Sequence, residues 1–231
     1  MFRQGDVYHN PVTGERVTIR LGARETKSER LIVDLQLRGG GIGFPLHLHP
    51  TIHERLMVTS GRVGVHANGV ISIAKIGQTI DIPPGMAHRF WNAGICEATL
   101  TIDILPGKRY EELLHNMIGL AQDGKTNSRG MPSLLQLAAL ATEFDDVIHF
   151  VEPLRFAQRA FFPPLALIAK LRGYQGSYRE FALRLPSERH VTGLKPRTVG
   201  DNCPRSTRGL PLPLDSAPLL THSAALIFWR L

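Results

Sequence analysis

Apolar residues alternate with polar ones through most of the first half of the chain. Arg16 to Leu21 places Val17, Ile19 and Leu21 on one face, the period of a half-buried strand. Residues 7–21 read as two strands joined at a turn marked by Pro11 and Gly14. Leu31, Val33, Leu35 and Leu37 share a side in the next run, with Ile32 out of phase. Arg62 to His66 alternates, Asn68-Gly69 is a hairpin turn signal, and Val70 to Ala74 continues the pattern. Thr79–Ile82, His88–Trp91 and Ala98–Leu105 complete the series. Many short strands between Gly, Pro and Asn turns predict a β-sandwich or barrel.

The period changes after Pro106-Gly107. Tyr110, Leu113, Leu114, Met117, Ile118 and Ala121 recur at helical spacing, and Gly124 is placed to cap that helix. Met131-Pro132-Ser133 opens a second helix carrying Leu134, Leu135, Ala138, Leu140 and Ala141. Residues 143–153 read as a mixed connector with a short turn of helix. Pro163-Pro164 predicts the first turn of a third helix, ended by Gly173. Helices this apolar must pack on the barrel or on a second subunit. From Pro186 the sequence is rich in Pro, Gly, Ser and Arg without period, the pattern of a loosely attached or disordered tail. The expected organisation is therefore a β-domain over 1–108, a helical extension over 109–185 and a tail over 186–231.

Hydrophobic residues make up 43% of the 231 positions, enough for a genuine core. The net charge of +7 raises the question of nucleic acid. The basic residues are scattered, and no helix-turn-helix or RNA-binding signature stands out, so no nucleic-acid partner is expected. The two cysteines, Cys96 and Cys203, lie far apart and do not indicate a disulfide framework. The first residues lack the apolar core of a signal peptide, and no apolar run reaches a bilayer-spanning length. A cytoplasmic protein without a membrane partner is the expectation.

The candidate chemistry lies in GIGFPLHLHPTIHERLMVTSG, from Gly41 to Gly61. His47 and His49 point the same way on a strand. Pro50 breaks that strand, and Glu54 leads the next. Downstream, Pro84-Gly85 is a turn that puts His88 at the head of a short strand. Imidazoles plus a carboxylate suit a borderline transition metal. His53 is expected on the face opposite Glu54, away from the others.

These residues carry a family resemblance. Gly41, five residues, His47-x-His49, four residues, Glu54, six residues, Gly61 resembles the first cupin motif. Gly77, five residues, Pro83-x-Gly85, two residues, His88, three residues, Asn92 resembles the second. The resemblance implies a mainly β fold, a cupin jelly-roll β-barrel followed by a C-terminal α-helical extension. It implies that His47, His49, Glu54 and His88 bind one divalent transition metal, Fe, Mn, Ni, Cu or Zn. It also implies a homodimer. Glu54 is a ligand, a catalytic base, or both. Leu56 and Val58 share Glu54's face and Phe90 shares His88's, which makes them the expected pocket lining for a small, partly hydrophobic or aromatic ligand or substrate. The activity implied is that of a metal-dependent dioxygenase resembling small quercetin-dioxygenase-like cupins. The alternatives are a non-catalytic small-ligand-binding cupin and a metal-dependent isomerase or lyase.

Overall fold

In the computed structural model of the chain, residues 2–27, 29–41, 43–151 and 155–189 are described. Two antiparallel sheets face each other. One has strands β1 (Asp6–His9), β2 (Arg16–Leu21), β3 (Leu31–Leu37), β5 (His53–Ser60), β8 (Thr79–Ile82), β10 (Ala98–Leu105) and β12 (Glu188–Arg189). The other has β4 (His47–Leu48), β6 (Arg62–Ala67), β7 (Val70–Lys75), β9 (His88–Asn92) and β11 (His149–Phe150). The strand orders are β12-β1-β2-β3-β10-β5-β8 and β11-β4-β9-β6-β7. From β3 onward the chain crosses repeatedly between sheets, which gives the jelly roll expected from the strand pattern.

The alternation seen in the sequence is the alternation of burial. Along β5, Glu54, Leu56 and Val58 are buried while Arg55, Met57 and Thr59 are exposed. Along β10, Ala98, Leu100, Ile102 and Ile104 are buried. With Val17, Ile19, Leu31, Val33, Val63 and Val65 they form the barrel core. Each buried Val, Leu or Ile among them stabilises the fold by roughly 1.5–3 kcal/mol.

Two helices follow the barrel as expected. Helix α1 spans Lys108–Gln122, and α2 spans Leu134–Glu143 with the Ser133 side chain accepting from the Gln136 N–H. Helix α3, Arg155–Leu171, departs from the sequence reading. It contains Pro163 and Pro164 in its interior instead of starting at them. Both prolines are exposed, and each costs the helix an N–H bond and crowds the carbonyl four residues before it. A short helix α4, Arg179–Ala182, follows. The connector before α3 also differs from expectation. His149 and Phe150 form β11, which pairs with Leu48 and His47 of β4. A two-residue strand has no period to read. Of the tail expected from Pro186, Glu188 and Arg189 pair with β1, and residues 190–231 lie outside the described residues. Cys96 is disulfide-bonded, where the sequence reading indicated no disulfide framework; Cys203 lies outside the described residues.

Candidate metal centre

Strand register assembles the centre. In the β4–β9 pair His47 stands directly opposite His88, so both imidazoles leave the sheet on one side. His49 follows one step beyond Leu48 on the His47 side. Glu54 comes from the facing sheet, where it pairs with Ile82 of β8 and Ile104 of β10. The carboxylate therefore reaches across the barrel toward three imidazoles. His47, His49, Glu54 and His88 are all buried, His88 and Glu54 to 1% exposure.

Two backbone features hold the strands in this register. Gly85 follows Pro83-Pro84 and donates its N–H to the His49 carbonyl at 2.8 Å, tying the turn before His88 to the strand end after His47. Gly43 has a positive φ of 68° and its Cα faces the Phe90 carbonyl so closely that a Cβ would lie 1.9 Å from that oxygen. Only glycine lets the segment entering β4 lie against β9.

Each imidazole is oriented by its Nδ1. His47 Nδ1 lies 2.8 Å from the Pro45 carbonyl, His49 Nδ1 2.6 Å from the Val147 carbonyl and His88 Nδ1 2.9 Å from the Met86 carbonyl. A carbonyl only accepts, so all three Nδ1 atoms carry protons and direct Nε2 inward. One ligand atom from each ring falls within 4.8 Å of the others. His49 Nε2 and Glu54 Oε1 are 3.5 Å apart, and His88 Nε2 and Glu54 Oε2 are 2.9 Å apart. Even so, His49 Nε2, His88 Nε2 and Glu54 Oε2 make no well-aligned hydrogen bond. Buried polar atoms left in this state are costly. Neutral imidazole nitrogens and a carboxylate aimed at one point fit a divalent cation.

The electrostatics follow from burial and proximity. Burial pushes His47 well below its ordinary 6.5, with His49 and His88 adding to the effect. Burial also lowers His49, against the pull of Glu54 and the Val147 carbonyl. Burial opposes the charge on His88 too, but the nearby Glu54 carboxylate outweighs it and raises the ring. Burial disfavours ionised Glu54, and the His49, His88 and His47 rings overcome that and hold the carboxyl at about 2.

The remaining sequence expectations are placed as follows. Leu56 and Val58 are packed into the barrel core on Glu54's face, and Phe90 is half-buried on His88's face. His53 points away, 3.0 Å from Asp81. Asn92, the last residue of the second motif, donates to the Leu37 and Cys96 carbonyls at 3.0 and 2.7 Å and accepts from the Gly94 N–H at 2.8 Å. It fixes the turn that leaves β9.

Residues near the centre also come from outside the two motifs. Phe44 lies edge-on to His47 at 5.2 Å between ring centroids, and Phe150 lies 5.9 Å from Phe44. Tyr110 lies 5.4 Å from His49, ring to ring. Burial, and then the Glu54 charge, push that phenol well above its ordinary 10.0, so it stays protonated. In the sequence Tyr110 is one apolar position of a helical stripe. The signal that could have singled it out is its place six residues after Ile104, the residue that pairs with Glu54.

Residues 33–104 match the family described as Cupin domain. Over 164 residues, 63% of this chain and 70% of the relative, the protein is 26% identical to "Probable oxidoreductase virH" of Hypocrea virens. Solved cupin-like structures include an oxalate oxidase, at 26% identity and a TM-score of 0.35 over 40% of this chain. The match covers 51% of that oxalate oxidase chain. An RmlC-like cupin from Shewanella frigidimarina aligns at 21% identity and a TM-score of 0.38, over 46% of this chain and 88% of its own. KdgF from Halomonas sp. aligns at 19% identity and a TM-score of 0.37, over 43% of this chain and 84% of its own. These structural likenesses are partial, and no chemistry rests on them. Among the described residues no helix is long and apolar enough to cross a membrane.

Proposed function

We propose that this cupin is a metal-dependent oxidoreductase of the dioxygenase type, acting on a small, partly hydrophobic or aromatic substrate. His47, His49, Glu54 and His88 are its ligands for one divalent transition metal. The observation that carries the reading is the tautomer of the three rings. Every Nδ1 is committed to a backbone carbonyl, so every Nε2 is presented inward beside one ionised carboxylate. The relative named as an oxidoreductase supports the reaction class.

When bound, a redox-active metal supplies a Lewis acid that brings an enolate or catecholate together with dioxygen. The protein's own residues do the rest. The imidazoles keep their orientation without rearrangement. Glu54, held ionised, balances charge and is placed to accept a substrate proton as it enters. Phe44, Phe150, Phe90 and the Tyr110 ring set an aromatic environment beside the centre, suited to a flat substrate.

The reading includes a homodimer, since β7 exposes Val70, Ile71 and Ile73 along the outer edge of its sheet. Sedimentation of the purified chain reads that directly, and a monomer at micromolar concentration contradicts it.

The activity is tested in an oxygen electrode. Protein reconstituted separately with Fe(II), Mn(II), Ni(II), Cu(II) or Zn(II) is given a panel of catechols, enediols and flavonols. Oxygen uptake is expected with at least one redox-active metal and is expected to vanish in His49→Ala. Metal-dependent turnover without oxygen uptake points instead to an isomerase or lyase. Tight binding of a panel member without turnover points to a binding protein.

A further inference from the structure

We infer that Arg109 is a positioning residue of the centre, its guanidinium clamping the turn after α2 so that the Val147 carbonyl stays on His49 Nδ1. The inference rests on the metal-centre reading above and extends it beyond the barrel, because Arg109 lies in α1 and acts through the backbone of another segment.

The clamp is built around Phe144. Its carbonyl accepts from the Val147 and Ile148 N–H groups at 2.9 and 3.0 Å, which closes a tight turn after α2. Its ring is fully buried, and the Arg109 guanidinium lies over it, 4.7 Å from the centroid. From there Arg109 reaches the chain on both sides of Phe144. Its Nη2 donates to the Glu143 carbonyl at 2.8 Å. Its Nε and Nη2 donate to the Asp146 carboxylate oxygens at 3.1 and 3.2 Å, the planar fork that suits a guanidinium. Its Nη1 donates to Glu112 of its own helix at 2.8 Å, which aims the group. The far side of the turn meets the chain around His49. Thr51 Oγ1 donates to the Asp146 carbonyl at 3.3 Å, and His49 Nδ1 lies 2.6 Å from the Val147 carbonyl. Beyond Val147 the chain is held by the pairing of β11 with β4. Arg109 holds it from the other direction.

The chemistry assigns the role. Two acceptors compete for the proton of the His49 ring. The Val147 carbonyl takes it at Nδ1, and Glu54 Oε1, 3.5 Å from Nε2, favours it there instead. A ring protonated at Nε2 presents a donor where a cation needs a lone pair. The carbonyl must therefore stay at close range, and a displaced turn tips the ring toward the wrong tautomer. The Arg109 and Asp146 side chains are 37% and 55% exposed, so their ion pair adds little to global stability. Its effect falls on the position of the turn, and through the turn on His49.

The test reads the His49 ring in the full-length protein. Arg109→Met keeps an apolar stem over Phe144 and removes the guanidinium donors. Asp146→Ala removes their exposed partner and leaves α1 unchanged, so it carries the test if Arg109→Met does not fold. In metal-free protein, proton–nitrogen correlation spectra of the histidine rings report which nitrogen bears the proton. Wild type is expected to show His49 protonated at Nδ1. Each variant is expected to move His49 toward Nε2–H while the His47 ring keeps its signals. Titration with Co(II), followed by its visible absorption, is expected to show about tenfold weaker binding in both variants. An unmoved His49 ring overturns the inference, and so does a moved ring with unchanged affinity. Equal changes at His47 and His49 overturn it too, since they mark a general loosening of the fold. Failure of wild type itself to bind Co(II) overturns the metal-centre reading, and the ring spectra, which need no metal, tell that failure apart from failure of the clamp.

Discussion

His47 and His88 face each other across the β4–β9 pair, with ring centroids 4.4 Å apart. They lie 41 positions apart in the sequence and meet only because the strands are in this register. A one-residue slip would send one ring to the other face of the sheet. The register of this pair therefore decides whether the proposed ligands meet, and the residues that hold it matter as much as those ligands.

Removing one imidazole should cost the metal and not the fold. His49→Ala is expected to lose most of its bound metal while keeping the far-ultraviolet circular dichroism of the parent. His49 is 3% exposed, so the deletion leaves a cavity, and a loss of about 1–3 kcal/mol is expected on urea denaturation of the metal-free protein. Full metal content in the variant contradicts the assignment of this ring.

Gly43→Ala tests the close approach of the segment before β4. Its backbone is left-handed and a Cβ would lie 1.9 Å from the Phe90 carbonyl oxygen. The segment must move away from β9 to admit a methyl group. Destabilisation of at least about 2 kcal/mol is expected, together with weaker metal binding. Unchanged stability would show that this approach is not needed.

Asn92→Ala tests the second motif's last residue. Its amide joins the Leu37 and Cys96 carbonyls to the Gly94 N–H and is buried. Leaving these groups without partners is expected to cost about 2–3 kcal/mol, measured as a lower urea midpoint. The ligands themselves are untouched, so any residual folded protein should still bind metal.

His115 supplies a pH dependence away from the centre. It is buried between Phe2 at 4.0 Å and Tyr8 at 5.6 Å, ring to ring, with Glu111 3.9 Å from its Nε2. Burial holds it at about 3 against an ordinary 6.5. The folded protein therefore prefers the neutral ring, and the unfolded chain takes up the proton first as pH falls. Its contribution is fully present above about pH 6.5 and shrinks toward pH 3, by roughly 2 kcal/mol between pH 6.5 and 5. Burial raises the Glu111 carboxyl, so Glu111 acts in the opposite direction and nearer its own range. In His115→Leu the fall in stability between those two pH values should be shallower by about that amount. An unchanged slope contradicts the burial argument.

Much of the barrel could be read from period alone. Val17 and Ile19, or Leu100 and Ile102, alternate with polar neighbours because one side of each strand faces the core. The Gly, Pro and Asn turns marked the strand ends. His47, His49, Glu54 and His88 could be picked out because their spacing is local, within each motif. What escaped were contacts made across long separations by residues without a distinguishing pattern. Tyr110 sits in an apolar helical stripe, and its place beside His49 depends on how Gly107 packs on Leu31. The Val147 carbonyl that orients His49 has no side-chain signature at all. The two residues of β11 are too few to show a period. Pro163 and Pro164 signalled a helix start, whereas α3 runs through them with both rings exposed.

The most direct measurement is the metal content of the chain purified without chelator, beside a His47→Ala/His88→Ala variant that removes the facing pair. One equivalent of a transition metal in the parent and less than about a tenth of that in the variant is the expected result. No metal in the parent, even after reconstitution with each of Fe, Mn, Ni, Cu and Zn, contradicts the central claim.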